Sequence, residues 1–184
     1  MRKTLSSWVL VFALLAGSQA FASASFANRS LGLGISAFSL QPSGADLVAW
    51  GLPITLEGGY YIEGGFDLYL RVEMMFLQQR IGFGANKDLP GLLPAIGGQF
   101  GVRYLFLEEN VRPYVNLHLA GMGFPTAERI GPVAYGGIGA GGGVDFFVAE
   151  SISLGVRAYV DLFLMLNAPV LIAPGGGIYA TTYF

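Results

Sequence analysis

Residues 96–121 contain the feature that most restricts how this chain can fold, a long alternation of side chains on two faces. Two alternating runs flank a short polar turn at residues 108–110. A period of two indicates β-strand, because successive side chains point to opposite sides of a pleated backbone. The short turn predicts that the two strands pair as an antiparallel hairpin. One face carries no charge, whereas the other carries Arg103, Arg112 and the only histidine, His118.

The rest of the chain repeats this design and predicts about eight strands. Longer loops alternate with short turns, and the turns fall near residues 63–65, 108–110 and 149–151. The predicted strands span residues 30–40, 52–62, 66–77, 96–107, 111–120, 135–147, 152–164 and 175–184.

The composition indicates what such strands could form. Only 12% of the residues are charged and the mean hydropathy is +0.56, whereas soluble domains carry about 25% charge. Past the N-terminus the sequence has no run of about 20 apolar residues, as a spanning helix needs. A hydrophobic chain of this kind is typical of a closed, antiparallel, up-and-down transmembrane β-barrel, in which only every second residue must be apolar. The net charge of −2 gives no reason to expect a nucleic-acid partner.

The N-terminus has the pattern of a secretory signal peptide. Arg2 and Lys3 precede an apolar core at residues 8–16, and small-residue cleavage sites follow at residues 20–22 and 22–24. We therefore expect residues 1–24 to be a cleaved signal peptide and residues 25–184 to form the barrel. In bacterial barrels the short turns face the periplasm, so an even strand count predicts that both termini are periplasmic.

Alternation alone does not decide which face is inside, because a soluble barrel such as a lipocalin has the same period with the faces reversed. The charge-bearing face also carries a stripe of glycines at residues 137–143. Glycines beside long arginines fit the narrow interior of an eight-stranded barrel, so we expect the apolar face to contact lipid. The predicted interior network comprises Glu57, Asp67, Arg71, Glu73, Arg103, Arg112, His118, Asp145, Arg157 and Asp161.

The interior charges have opposite signs at positions that can pair. A tight turn at residues 63–65 would place Glu57 directly across from Arg71. In the seventh strand, Arg157 should lie diagonal to Asp145. A buried charge without a partner is costly. The pair therefore predicts that Arg71→Ala alone destabilises more than Arg71→Ala combined with Glu57→Ala.

Aromatic residues on the apolar face cluster at the strand ends next to the short turns. At one height they would form the periplasmic aromatic girdle of a membrane barrel. The girdle residues are Tyr60, Phe66, Tyr104, Phe106, Phe146 and Phe184. At the opposite end Phe76 is the best candidate.

With its leader, alternating strands, short turns and terminal Phe184, the chain resembles the small OmpA/OmpX-type outer-membrane barrels of Gram-negative bacteria. The resemblance implies a bacterial outer-membrane location, with membrane lipid and the barrel-assembly machinery as partners. It also implies that Phe184, with Ile178 and Tyr183 nearby, carries the assembly signal. Ala180 and Thr182 stand where that family has larger apolar residues. The resemblance leaves the oligomeric state open.

Two motifs were weighed as sites for chemistry. Gly137, Gly139 and Gly142 spell G-x-G-x-x-G, but this motif binds dinucleotides only between a strand and a helix, and here it lies within a predicted strand. Some small outer-membrane barrels are lipid A hydrolases with a His and a Ser facing lipid. His118 has the inward parity, and Ala120 rather than serine follows it on the same face. We therefore predict no catalytic, cofactor or metal site.

Three functions remain open. The first is a structural or interaction role for a barrel whose interior is filled by charge. The second is an OmpW-like channel or transporter for small apolar molecules, motivated by the space that the glycine stripe would leave. The third, less favoured, is a lipid-modifying enzyme. The loop 78–94, with Arg80, Lys87 and Asp88, is either an outward contact or a plain connection.

Overall fold

The structure is a computed structural model that describes residues 28–42, 49–79, 93–106, 110–124, 133–164 and 170–184. These residues form nine β-strands. Among them there is no helix with the length and hydropathy that crossing a membrane requires. The strands are β1 (Arg29–Pro42), β2 (Ala49–Gly51), β3 (Ile54–Ile62), β4 (Phe66–Gln79), β5 (Leu93–Leu105), β6 (Val111–Phe124), β7 (Val133–Ala149), β8 (Ile152–Leu164) and β9 (Leu171–Tyr183).

The strands close into a ring in which every neighbour is antiparallel. From β3 to β9 each strand pairs with the next in sequence, and β1 closes the ring by pairing with both β9 and β3. Strand β2 pairs with the same two strands as β3, namely β1 and β4, so β2 and β3 together make one position in the ring. They are separated at Pro53, whose carbonyl still accepts a 3.0 Å hydrogen bond from the Ser36 amide. The predicted eight-stranded closed barrel is therefore confirmed.

The tight turn at residues 63–65 fixes the register of β3 and β4. Gly64 and Gly65 have φ angles of 84° and 88°, a backbone region that glycine adopts without steric penalty. Ile62 then pairs with Phe66, and five positions further along the two strands Glu57 pairs with Arg71. The predicted alignment of Glu57 with Arg71 is confirmed by this register.

Two predicted boundaries were wrong. The last strand begins at Leu171 rather than residue 175, because Pro174 and the glycines after it continue the strand instead of breaking it. Both ends of the predicted 78–94 loop belong to strands, since β4 continues through Gln79 and β5 begins at Leu93. The remainder of that loop, with Arg80, Lys87 and Asp88, lies outside the described residues, as does the predicted signal peptide.

The ring turns its apolar face outward. Leu117, for example, is 70% exposed, whereas its neighbour His118 is 5% exposed. The same alternation runs through the other strands, and β8 reads as strictly exposed and buried in turn. An outer surface of Leu, Ile, Val and Phe matches the hydrocarbon of a bilayer rather than water.

The interior has two halves. Toward the short turns it is polar and charged, while toward the longer connections it is an apolar cluster. This cluster comprises Phe38, Leu40, Ala49, Met75, Leu77, Ala95, Ala120, Met122, Phe163, Leu171 and Ala173. Alternation predicted charge inside but could not predict the apolar half, because both faces of the strands are apolar at that end.

Both described ends of the chain lie at the short-turn end of the barrel. The Arg29 amide donates to the Phe184 carbonyl at 3.3 Å, and the Phe184 amide donates back to the Arg29 carbonyl at 3.0 Å. The turns at residues 63–65 and 150–151 belong to this same end.

Candidate functional site: the lumen of the barrel

Glu57 on β3 is the centre of the charged network and binds three guanidinium groups. Arg71 on β4 approaches with Nε at 2.8 Å and Nη2 at 2.7 Å from Glu57 Oε2. Arg157 on β8 donates from Nη1 to the same oxygen at 3.0 Å, and Arg103 on β5 donates to Oε1. Since β8 lies on the far side of the ring from β3 and β4, the bond from Arg157 crosses the lumen.

A second set of bonds crosses the lumen beside the first. Gln99 on β5 accepts from Arg71 Nη1 at 2.6 Å and donates to Asp161 Oδ2 on β8 at 3.1 Å. His118 Nε2 lies 2.5 Å from Asp161 Oδ1, and His118 Nδ1 lies 3.0 Å from the Asn116 amide nitrogen. Every side chain in this series of bonds is buried. His118 is therefore held through both of its ring nitrogens inside the barrel.

A third set lies toward the short turns. Tyr179 on β9 donates to Asp145 at 2.5 Å, and its hydroxyl lies 3.0 Å from that of Tyr114 on β6. The guanidinium of Arg103 lies 4.5 Å from the centroid of the Tyr114 ring and 3.5 Å from Asp67. Aromatic faces and carboxylates together therefore surround this arginine, an arrangement that favours a desolvated guanidinium.

The ten residues predicted for the interior are all buried. The predicted Glu57–Arg71 pair forms, but Arg157 has other partners than the register suggested. Arg157 is diagonal to Asp145 in the ladder, yet its guanidinium reaches across to Glu57, to Thr55 at 2.6 Å and to Ser36 at 3.2 Å. Register describes only neighbouring strands, whereas a long arginine side chain can reach a strand on the opposite wall.

The glycine stripe of β7 does not leave open space. A Cβ at Gly139 would collide with His118 and Asp161, and one at Gly143 would lie 2.6 Å from the Tyr114 hydroxyl. The side chains of other strands therefore occupy the volume that the glycines vacate. The expectation that the stripe leaves space was wrong, because neighbouring side chains take the place of the absent ones.

The predicted aromatic girdle residues are all on the outer surface, each between 38% and 65% exposed. Rings in this group are in contact, with centroids 5.0 Å apart for Phe66 and Tyr104 and 5.3 Å apart for Tyr104 and Phe106. At the other end, Phe76 and Trp50 are exposed. Trp50 was not predicted, since it lies on the three-residue strand β2, which is too short for alternation to reveal.

The structure places each motif that the sequence suggested for chemistry. Among the described residues no three His, Cys, Asp or Glu side chains are grouped to hold a metal ion. The G-x-G-x-x-G motif lies wholly within β7, with strand on both sides of it. His118 is in the lumen rather than on the lipid face, so it is not placed to act on lipid A.

Comparison with known proteins identifies the fold. The sequence matches no family model, and no curated protein is similar to it. Among the solved structures that are similar in fold are three outer-membrane proteins. Neisserial surface protein A matches with a TM-score of 0.66 at 13% identity, over 85% of this chain and 97% of that one. Outer membrane protein OprG from Pseudomonas aeruginosa matches with a TM-score of 0.54 at 12% identity, over 88% and 98%. Ail, the attachment invasion locus protein of Yersinia pestis, matches with a TM-score of 0.53 at 13% identity, over 86% and 99%.

These similarities and the ring of strands define the class of protein: a transmembrane β-barrel. More narrowly, the chain has the fold of the small outer-membrane barrels, consistent with the eight-stranded OmpA/OmpX type.

Proposed function

We propose that this chain is a small, non-enzymatic barrel of the bacterial outer membrane with a structural or interaction role and a sealed lumen. In this proposal the short turns and both termini face the periplasm, and the apolar outer wall contacts membrane lipid. Its fold similarity to outer-membrane proteins and its exposed apolar surface support the location.

The observation that carries the proposal is the set of bonds from Glu57 to arginines on three other strands. Such bonds hold opposite walls of the barrel together. They also fill the lumen with charged side chains that are desolvated and bonded to one another. Breaking a buried pair of this kind costs about 3–5 kcal/mol. In this proposal the paired side chains take the place of a continuous water-filled channel, so ions do not pass.

Planar-bilayer recordings test the sealed lumen. We expect no stable single-channel conductance from the purified protein. A general porin reconstituted in the same bilayers serves as the positive control, and steps of uniform size from this protein would refute the proposal. Folding is checked beforehand by heat-modifiable mobility on gels.

A second candidate function is uptake of small apolar molecules. The apolar cluster in the half of the lumen toward the longer connections favours it. Such molecules would enter among Phe38, Met75 and Phe163 and leave through the wall, since the charged network blocks the axis. Vesicles that contain the protein should then take up an apolar fluorophore faster than empty vesicles. Equal rates would exclude this function.

We further propose that the barrel-assembly machinery recognises the last strand through Phe184, whose side chain is 65% exposed on the outer surface. Phe184→Ala should slow the appearance of the heat-modifiable form in cells. Phe146→Ala, which removes another aromatic residue of the same girdle, is the matched control, and an equal delay in both variants would assign Phe184 to the girdle alone.

A further inference from the structure

We propose that the lumen contains a binding site for a small primary alkylammonium ion, with the ammonium group at Glu73 and the hydrocarbon part in the apolar cluster. This site goes beyond the sealing role. It lies between the Glu57 network and the apolar cluster, so a ligand bound there would not open a channel through the barrel.

A cavity lies where the charged half of the lumen meets the apolar half. Glu73, Gln99, Tyr159 and Asp161 line it from the polar side, and apolar side chains line it from the other, including Met75, Met122, Ala120, Phe38 and Phe163. The cavity has room for about one water molecule, which is also about the size of an ammonium group. Methionine side chains adapt readily to a neighbour, so Met75 and Met122 can make room for a short alkyl chain.

Two residues that line this cavity each have a buried polar atom with no hydrogen-bond partner among the described residues. These atoms are Oε1 of Glu73 and the hydroxyl oxygen of Tyr159. Glu73 is 5% exposed and Tyr159 is 6% exposed, so bulk water does not satisfy them. Buried polar groups are nearly always paired, and two orphans on one cavity indicate a missing donor there. The other two polar residues are already committed, because Gln99 and Asp161 bind each other at 3.1 Å.

The charges of the interior indicate that the missing donor is a cation. Five buried carboxylates share the lumen with four buried guanidiniums. The carboxylates are Glu57, Asp67, Glu73, Asp145 and Asp161, and the guanidiniums are those of Arg71, Arg103, Arg112 and Arg157. Glu57 and Asp67 form ion pairs with arginines, Asp161 lies against His118, and Asp145 accepts from Tyr179. Among the described residues, neither Glu73 nor Asp145 forms an ion pair within 4.0 Å. Asp145 accepts the Tyr179 hydrogen bond instead, whereas Oε1 of Glu73 has no partner there.

A primary alkylammonium ion satisfies both requirements. Its N–H groups can donate to Glu73 and to the Tyr159 oxygen, and its charge complements the surplus carboxylate. Its chain would contact Met75, Met122 and Ala120, which are apolar and buried. A bare metal ion would need more oxygen ligands than the cavity offers, and an apolar molecule would leave the two polar atoms unsatisfied.

The test is a titration of the refolded full-length barrel in detergent micelles with n-butylammonium chloride at neutral pH, followed through the ¹³C-labelled methyl groups of methionine. We expect saturable shifts of the Met75 and Met122 signals. Met74 is the internal control, because its side chain is 64% exposed on the lipid face and should respond only to amine that enters the micelle. Shifts that rise linearly and alike in all three methionines would overturn the proposal.

Variants test the role of the carboxylate. Glu73→Gln should weaken binding at least tenfold, whereas Glu63→Gln, which removes the same charge from the exposed turn, should leave the affinity unchanged within twofold. Where Glu73→Gln does not fold, a titration of the wild-type barrel with 1-butanol decides. Binding of butanol as tight as that of butylammonium would mean that no charge is recognised, and that the cavity holds only an ordered water beside an apolar surface.

Discussion

At the scale of single residues, Glu57 is predicted to be the most sensitive position in the lumen. Glu57→Gln removes the charge that three arginines share, whereas Arg71→Gln leaves Glu57 with two of them. We expect Glu57→Gln to destabilise by about 3–5 kcal/mol and Arg71→Gln by less. Urea unfolding in lipid vesicles measures both, and a larger effect of Arg71→Gln would contradict the central role of Glu57.

The same geometry reverses the expectation for alanine variants that follows from an isolated pair. Adding Glu57→Ala to Arg71→Ala leaves Arg103 and Arg157 without their shared carboxylate. The double variant should therefore be less stable than Arg71→Ala alone. Parity placed these side chains inside correctly, but the number of arginines on one carboxylate depends on distances across the lumen, which sequence spacing does not contain.

Gly139 on β7 offers a second test at this scale. Gly139→Ala should destabilise by about 1–3 kcal/mol, because the new methyl group would collide with both His118 and Asp161. Gly136→Ala on the same strand is the matched control, since a Cβ there has nothing within 4 Å. Equal unfolding midpoints for the two variants would show that the His118–Asp161 contact yields without penalty.

At the scale of the strand, β6 predicts how depth in the membrane affects a charge. Leu117 is at mid-strand and outward, and Val111 is outward at the short-turn end. Leu117→Arg should destabilise by about 2–4 kcal/mol and Val111→Arg by about 0–1 kcal/mol, because the penalty for a cation falls from the bilayer midplane to the interface. Leu70→Arg on β4 should behave like Leu117→Arg. The free energy of unfolding in phosphatidylcholine vesicles measures the difference, and equal values would argue against a membrane-spanning orientation of β6.

Strand identity could be predicted from the sequence wherever one face is apolar and the other charged, as in β4, β6 and β8. Where that contrast disappears, the start of the last strand was not predicted correctly. Pro174 reads as a strand breaker, yet it faces Val160 in the ladder, and Gly175 after it makes room for the Tyr159 ring, 2.6 Å from where a Cβ would be. The Tyr159 side chain from the neighbouring strand β8 fills the space beside Gly175. The local sequence around Gly175 does not predict this contact.

At the scale of the whole molecule, two different sets of side chains occupy the barrel along its axis. The charged network around Glu57 lies in the half near the short turns, and the apolar cluster lies in the other half. In the sealed lumen that we propose, the two halves exclude hydrated inorganic ions for different reasons. One half is occupied by paired charges, and the other offers such an ion no polar group to replace its hydration water. Closures in series predict that removing one of them does not open the barrel.

Combined variants test this arrangement. Glu57→Ala with Arg157→Ala removes part of the network, and Phe38→Ala with Phe163→Ala removes two large members of the apolar cluster. Each double variant should stay non-conducting in planar bilayers, whereas the fourfold variant should show stable conductance. Heat-modifiable mobility checks that all three fold. Conductance from the first double variant alone would mean that the apolar cluster does not seal its half, and that ions reach the charged network from the loop end.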